Sequence, residues 1–562
     1  MPGSHRAARP PRWLHALSGV VAAAAGLGVG HTVAAVTSPA SSPLLAVGSV
    51  AIDAAPTPVK EFAVQTFGNA DKPVLLAGMA VVLVLITAGL GLLAYRRRWI
   101  AVAGLVALAA IAGAAALTRT PDPTAVVPAL VTGVIAVAGL LWVRAGVLGS
   151  TGTQSSTATG TATGTATGTV PGPGAGVTRA GERPAAERDA APARESALDG
   201  PRVRSGQFVP TRRGVLIGGP AALAVAGAAG GTLLGRRRDD GAIGRDQALP
   251  EPSDPAPPLP EDVQLELPGI TPFRTPSPDF YRVDIALSTP RIDVDTWSLP
   301  IGGLVDEPIT LRYEDILDMA LVERWITLTC VSNPVGGPYV STGRWLGVPL
   351  LDLFEQVGVQ PGADQIFTES ADGLTMSIPL DAATDGRDAM LVVGLNGEQL
   401  PVERGFPARL IVPGLFGFVS AAKWITRMDL STYDRDIAYW TERDWATDAP
   451  VLTQSRIDVP GPLQRVPAGT VTMAGIAWAQ HRGIRSVEVR IDDGDWQQAE
   501  LAADGGADLW RQWRFDWTSN GSGRHDVQVR ATDGRGEAQP QERTTPFPDG
   551  ARGWHSIAFV VE

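Results

Sequence analysis

The chain of 562 residues has one cysteine, Cys330, so it can form no internal disulfide. A single thiol is either a small buried hydrophobe or, as a thiolate, a nucleophile or a soft metal ligand. Cys330 ends an apolar run, Thr327-Leu328-Thr329, and opens a loop, Val331-Ser332-Asn333-Pro334-Val335-Gly336-Gly337. Histidine narrows the chemistry around it. The six histidines are His5, His15, His31, His481, His525 and His555, with none between Asp239 and Trp478. A Ser-His-Asp triad or a Cys/His zinc site within that stretch is therefore excluded. A net charge of −11 also argues against nucleic-acid binding, because a phosphate backbone calls for a basic face.

The elements that must position Cys330 lie in the second half of the chain. Over 263–450, strand-like stretches at 294–301 and 409–412 alternate with helical ones such as Leu350–Val357, which predicts an α+β domain. From about 451 to 562 the pattern changes to short β-rich runs at 470–479, 486–491, 496–501, 511–517, 526–532 and 557–561, separated by Gly and Asp turns. Val487, Val489 and Ile491 alternate with Glu488 and Arg490, as in a half-buried strand. Six or seven such strands predict an immunoglobulin-like sandwich.

The first half reads as membrane. Segments 13–36, 73–94, 99–117 and 125–148 are apolar and near the ~20 residues a helix needs to span a bilayer, giving a membrane region over 1–148 with four spans. The run 44–52 is too short to cross and reads as interfacial or re-entrant. Residues 149–211 open with a Thr/Gly/Ala repeat and continue Pro/Ala/Arg/Glu-rich, the composition of a disordered linker. A final span follows within 212–235, then a Pro-rich linker over 236–262. Arg6, Arg9 and Arg12 place the N-terminus inside, and Arg96, Arg97 and Arg98 place the loop between the second and third long spans inside. Five crossings then leave the C-terminal module on the extracytoplasmic face of the cell membrane. Thr211-Arg212-Arg213-Gly214-Val215-Leu216 reads two ways: as a positive-inside flank, or as a sequence similar to the twin-arginine export signal, the route for proteins folded around a cofactor before export. Arg236, Arg237 and Arg238, on the outer side of that span, run against the simple charge rule.

Several motifs occur together in order: Phe280-Tyr281-Arg282-Val283-Asp284, the Cys330 loop, Ser341-Thr342-Gly343-Arg344-Trp345-Leu346-Gly347, Asn396-Gly397, Leu400-Pro401-Val402-Glu403-Arg404-Gly405-Phe406-Pro407-Ala408-Arg409, Val412-Pro413-Gly414 and Lys423-Trp424. This set resembles the molybdopterin domain of the sulfite oxidase family, which includes plant nitrate reductases and bacterial sulfoxide reductases. The segment with Gly475-Ile476-Ala477-Trp478 and Arg530-Ala531-Thr532-Asp533 resembles that family's accessory domain. The resemblance covers about 265–562. It implies that Cys330 gives a thiolate to molybdenum, and that Tyr281, Arg282, Asp284, Asn333, Asp372, Arg404, Arg409 and Lys423 contact the pterin. Asp284 and Arg404 stand where the oxidases carry His. Arg282 and Arg344 join Cys330 as catalytic residues. Apart from the resemblance, Arg344 reads equally as a structural ion-pair partner beside Trp345, and Asn333 as a cap on its loop.

One departure bears on substrate. Typical sulfite oxidases follow the cysteine with an arginine-bearing loop, and here that loop has no basic residue. A guanidinium gives a strong charge-assisted contact to an oxyanion, so the expected substrate is a small S- or N-oxo compound, a sulfoxide first and sulfite second, with Arg552 a candidate to compensate for the missing charge. The resemblance further implies a molybdenum–molybdopterin cofactor and a homodimer through the C-terminal domain. No haem-binding segment is evident, so electrons would pass through a separate carrier. The contrasting expectation is an envelope binding or assembly protein that keeps the fold without the cofactor.

Overall fold

The computed structural model describes residues 11–118, 122–149, 221–227, 229, 248–519 and 521–562. The long apolar runs form helices: α1 (Arg12–Val36), α2 (Pro43–Ala54), α3 (Thr57–Phe67), α4 (Asp71–Arg96), α5 (Arg98–Leu117) and α6 (Val127–Gly149). Of these, α1, α4, α5 and the stretch Pro123–Ala145 are long and apolar enough to cross a membrane. They lie within a few residues of the expected spans. With 12 residues, α2 reaches only ~18 Å at 1.5 Å per residue, so the run 44–52 does not span.

Small residues let the helices approach closely. In α1, Gly19 faces the backbone of Thr87 and Gly91 on α4, while Gly26 and Gly30 face Thr132 on α6, leaving no room for a Cβ. This is the packing expected where helices associate without a hydrophobic driving force. Val81, Leu85, Val134 and Trp99 remain exposed on the outer faces, as lipid-facing side chains do. His15 of α1 packs against Tyr95 of α4, with ring centroids 4.5 Å apart, and Arg144 Nε donates to the Ala94 carbonyl at 3.1 Å. Arg12, Arg96, Arg97, Arg98 and Arg144 therefore share one end of the bundle. Of the fifth expected span, the described residues 221–227 and 229 are helical, and Thr32 Oγ1 donates to the Gly227 carbonyl at 2.7 Å. The 149–211 linker, Arg212-Arg213 and Arg236–238 lie outside the described residues.

The C-terminal half contains two β-rich units. In the first, one sheet runs Ile309–Arg312, Ser298–Gly303, Ile425–Ser431, Gln365–Ser370, Thr375–Pro379. The other runs Val322–Thr329, Val340–Pro349, Met390–Leu395, Glu398–Gln399, with Arg409–Ile411 also paired to Met390–Leu395. Helix Leu350–Val357 covers the stretch read as helical. The stretch 294–301 starts its strand only at Ser298, because Val294–Thr296 form a turn in which Trp297 N and Thr296 N donate to Asp293 O. Part of the segment expected as a Pro-rich linker is laid against this unit: Ser253 N donates to Leu321 O and Glu323 N to Asp254 O, both at 2.8 Å.

The second unit is a two-sheet sandwich. Four strands, Gln454–Val459, Thr470–Trp478, Arg511–Thr518 and Glu500–Leu501, face five, Arg465–Val466, His555–Val561, Gly523–Asp533, Ile484–Ile491 and Gln497–Gln498. Val487, Val489 and Ile491 point into the core shared by the two sheets, as their alternation required. Ile476, Trp478, Leu509 and Trp510 of this unit are buried in the core of the first. Trp510 N donates to Thr327 Oγ1 at 3.0 Å and Gln480 Nε2 to Thr329 Oγ1 at 2.6 Å. The sandwich is thus bonded to the strand that delivers Cys330.

Candidate functional site

Strand Val322–Thr329 ends at Cys330, whose N–H donates to Tyr339 O at 3.0 Å. Asn333 closes the loop between them: its N–H donates to Cys330 O at 3.1 Å, and its Oδ1 accepts from Tyr339 N at 2.9 Å. The loop then leaves the site. Arg456 of the sandwich donates to Gly337 O at 2.9 Å, and Gly336, at φ +76°, lies against the His555 ring with no room for a Cβ. Cys330 is buried, and burial pushes its thiol above the ordinary range, while the adjacent Ser332 opposes this.

Cys330 lines a cavity together with Tyr281, Asp284, Asp372, Arg404, Arg409 and Lys423. Six of the residues singled out from sequence thus meet the thiol there. Arg282 reaches the same cluster through Asp284, with Arg282 Nε and Asp284 Oδ2 2.7 Å apart. The Asp284 carboxylate is 1% exposed and also pairs with Lys423 Nζ at 2.9 Å and with Lys72. Burial alone would raise its pKa, but Lys423, Lys72 and Arg282 hold it well below the usual carboxylate range. Burial pushes Lys423 down to about 8 against the opposing pull of Asp284. Tyr281 is raised by burial and by the neighbouring Cys330.

The two buried arginines are held on one side and unsatisfied on the other. Arg404 Nη2 donates to Pro278 O at 2.9 Å, and Arg409 Nη1 donates to Arg404 O at 3.1 Å with its guanidinium stacked 5.1 Å from the Trp345 ring. Among the described residues, Arg404 Nε and Nη1 and Arg409 Nε have no hydrogen-bond partner. Gly405, at φ +116°, brings Arg409 and Lys423 close: a Cβ there would meet theirs at 3.1 and 3.2 Å. Buried guanidinium donors without acceptors cost several kcal/mol, so the cavity is built for an acceptor-rich ligand.

Three sequence expectations land elsewhere. Arg344 is not among the lining residues: its Nε pairs with Glu323 Oε1 at 3.0 Å on the sheet, so the ion-pair reading describes its position. Asn333 braces the Cys330 loop and likewise does not line the cavity. Arg552 pairs with Asp549 on the surface at 2.6 Å and does not line the cavity either. Sequence reading missed Lys60 and Lys72, which line the cavity from α3 and the start of α4, because nothing local marks a helix end as facing a site over 200 residues away. Their residue type was the available signal, since the chain has only three lysines.

The donor set fits molybdopterin. Its phosphate and pterin ring offer many acceptors to Arg404, Arg409 and Lys423, and Cys330 offers a soft ligand to the metal. Among the described residues no group of three or more His, Cys, Asp or Glu could hold a metal ion, so a metal at Cys330 would take its other ligands from the cofactor.

Residues 286–440 match the family described as oxidoreductase molybdopterin binding domain. The chain is 30% identical to human mitochondrial sulfite oxidase over 292 residues, covering 43% of this chain and 53% of that protein. It is 27% identical to chicken sulfite oxidase over 316 residues, covering 48% and 68%. It is 32% identical to nitrate reductase [NADH] 1 of Oryza sativa subsp. japonica over 179 residues, covering 27% and 19%. The chain thus spans about half the length of its mammalian relatives. Among solved structures it is similar to the sulfane dehydrogenase SoxCD from Paracoccus pantotrophus, with a TM-score of 0.46 and 23% identity over 52% of this chain and 84% of that one. Residues 286–440 thus carry a domain that matches the molybdopterin-binding oxidoreductases, and the chain is similar over its C-terminal half to sulfite oxidases.

Proposed function

We propose that this protein is a membrane-anchored, outward-facing oxidoreductase that moves an oxygen atom to or from a small S- or N-oxo compound, with a sulfoxide as its substrate. The observation that carries this reading is the only thiol of the chain, buried in a cavity beside unsatisfied arginine donors. The bound cofactor supplies two-electron oxygen-atom transfer. Cys330 would ligate its metal, Arg404 and Arg409 would hold its phosphate and ring, and Asp284 with Lys423 and Arg282 would fix the charge around it. The orientation is supported by the cationic end of the helix bundle, which is opposite the end where α2 and α3 meet the C-terminal half. A separate carrier would exchange the electrons, and a homodimer through the sandwich belongs to the same reading.

The loop after Cys330 contributes Val331 and Ser332 to the cavity and no cation. Losing a charged hydrogen bond costs ~1.5–3 kcal/mol, roughly ten- to a hundredfold in affinity for a dianion. A sulfoxide, which has no net charge to compensate, loses less. Sulfite oxidation is the second reading, favoured by Lys60 and Lys72 in the cavity wall. The test is a panel of sulfite, sulfoxides, N-oxides and nitrate on the full-length protein, with artificial electron donors and acceptors. Sulfoxide reduction is expected to exceed sulfite oxidation in kcat/KM. Efficient sulfite oxidation without sulfoxide reduction would overturn the assignment.

A further inference from the structure

Lysine is scarce in this chain. Among its 47 basic residues only Lys60, Lys72 and Lys423 are lysines, and all three line the same cavity. Two of them come from the connection between the first two spans. That connection is a wall of the cavity, in which α2 contributes Ile52, α3 contributes Val59, Lys60 and Val64, and the first turns of α4 contribute Lys72 and Leu75.

The wall is fastened at three points. Tyr339 OH donates to Val64 O at 3.4 Å, and the same Tyr339 closes the Cys330 loop through its backbone. Lys60 Nζ donates to Tyr439 OH at 2.9 Å, and Tyr439 OH to Asp53 Oδ1 at 3.2 Å. The third fastening is the ion pair of Lys72 with Asp284, and it differs from the others because Asp284 belongs to the cavity's own charge cluster. One carboxylate there faces three cations, Lys72, Lys423 and Arg282. Its two oxygens are divided: Oδ2 takes Lys423 and Arg282 from within the domain, and Oδ1 takes Lys72 from the membrane half. Removing Lys72 frees one oxygen of a buried carboxylate to rotate, and the orientation of Lys423 and Arg282 goes with it.

We propose that Lys72 is a positioning residue of the cofactor site: the membrane-anchored half holds Asp284, and through it Lys423 and Arg282, in the arrangement that receives the pterin. The site is then complete only when the membrane half and the soluble half are together. This inference rests on the reading of the cavity as a molybdopterin site.

The experiment uses the full-length chain, purified from a host that makes the cofactor, as wild type, Lys72→Met, Lys72→Arg and Tyr439→Phe. Molybdenum and pterin per chain are measured before and after prolonged dialysis. Supporting groups behind a metal site are worth about tenfold or more in retention. Lys72→Met is expected to lose cofactor about that much faster, with Lys72→Arg restoring retention. Tyr439→Phe, which cuts a different fastening of the same wall, is expected to retain cofactor like the wild type. A second readout uses protein made without the cofactor, in which a maleimide can label only Cys330. Lys72→Met is expected to label faster than wild type and Lys72→Arg at the wild-type rate. Wild-type retention and labelling in Lys72→Met would overturn the proposal, and so would a loss in Tyr439→Phe equal to that in Lys72→Met. If Lys72→Met does not accumulate, Asp284→Asn removes the pair from its other side, and wild-type retention there overturns the proposal equally. A wild-type protein containing no molybdenum would refute the cofactor reading instead, and the labelling arm would still judge Lys72.

Discussion

A thiol buried as Cys330 is buried resists ionisation, so it becomes a useful thiolate only when a cation is brought to it. A metal does this, and the arginines and Lys423 around the cavity account for the rest of such a cofactor's charge. Cys330→Ser keeps the volume and the loop hydrogen bonds, which are made by the backbone, but replaces a soft ligand with a hard one. The variant is expected to fold with a wild-type melting profile and to lose turnover. Thermal unfolding and a substrate assay on the same preparation check both halves, and full activity in the Ser variant would remove the ligand role. At this scale the family resemblance picked out Tyr281, Asp284, Cys330, Asp372, Arg404, Arg409 and Lys423 among the lining residues, whereas Arg344 read two ways because strand alternation alone does not say what lies beneath each face. In the fold its Nε lies 3.0 Å from the Glu323 carboxylate.

At the scale of elements, the sandwich acts as a brace for the loop that carries the thiol. His555 Nδ1 accepts from Ile457 N at 3.0 Å while the ring backs Gly336. An imidazole that accepts there must be neutral at that nitrogen. Burial, then the nearby Arg456 and Arg543, push its pKa down to about 4 from the ordinary 6.5. The sign follows from linkage. Between about pH 4 and 6.5 the unfolded chain binds a proton that the folded chain refuses, so stability rises with pH across that window. The contribution of His555 is full above the unfolded value and is lost as pH falls towards the folded one. The melting temperature of the full-length protein is therefore expected to drop on acidification from pH 7 to 4.5, and less steeply in His555→Gln, which keeps an acceptor but cannot titrate. An equal slope in both proteins would assign the acid sensitivity to other groups.

For the whole molecule, the helix bundle, the molybdopterin domain and the sandwich are joined by more than chain connectivity. The cavity takes its walls from the helix bundle and the domain, and its loop support from the sandwich. The residues that would hold the cofactor, Cys330, Arg404, Arg409 and Lys423, all lie in the C-terminal half, so that half can take up the cofactor before export and meet the helix wall afterwards, which gives the Arg212-Arg213 pair a testable role although it lies outside the described residues. Replacing both with Lys preserves the charge and is expected to trap the module inside, which protease accessibility from the outer face of intact cells would report. Unchanged exposure would reduce the pair to a flank of the final span.

What the amino-acid order determined by itself is local or compositional: the long apolar helices from their length and apolarity, the short helix Leu350–Val357, the alternating strand over 486–491 from its period, and the thiol from its uniqueness. Each of these depends on neighbours a few residues away, the range over which helical and strand periods operate. What only the tertiary structure decided is which distant segments share the cavity. Lys72 and Asp284 are 212 residues apart in the chain, and Lys60 and Tyr439 are 379 apart. No period spans such distances, and no local pattern marks a helix end for one cleft over another. The docking of helix ends on the C-terminal half decides it, because only there do the cations of the first find carboxylate and phenol partners in the second.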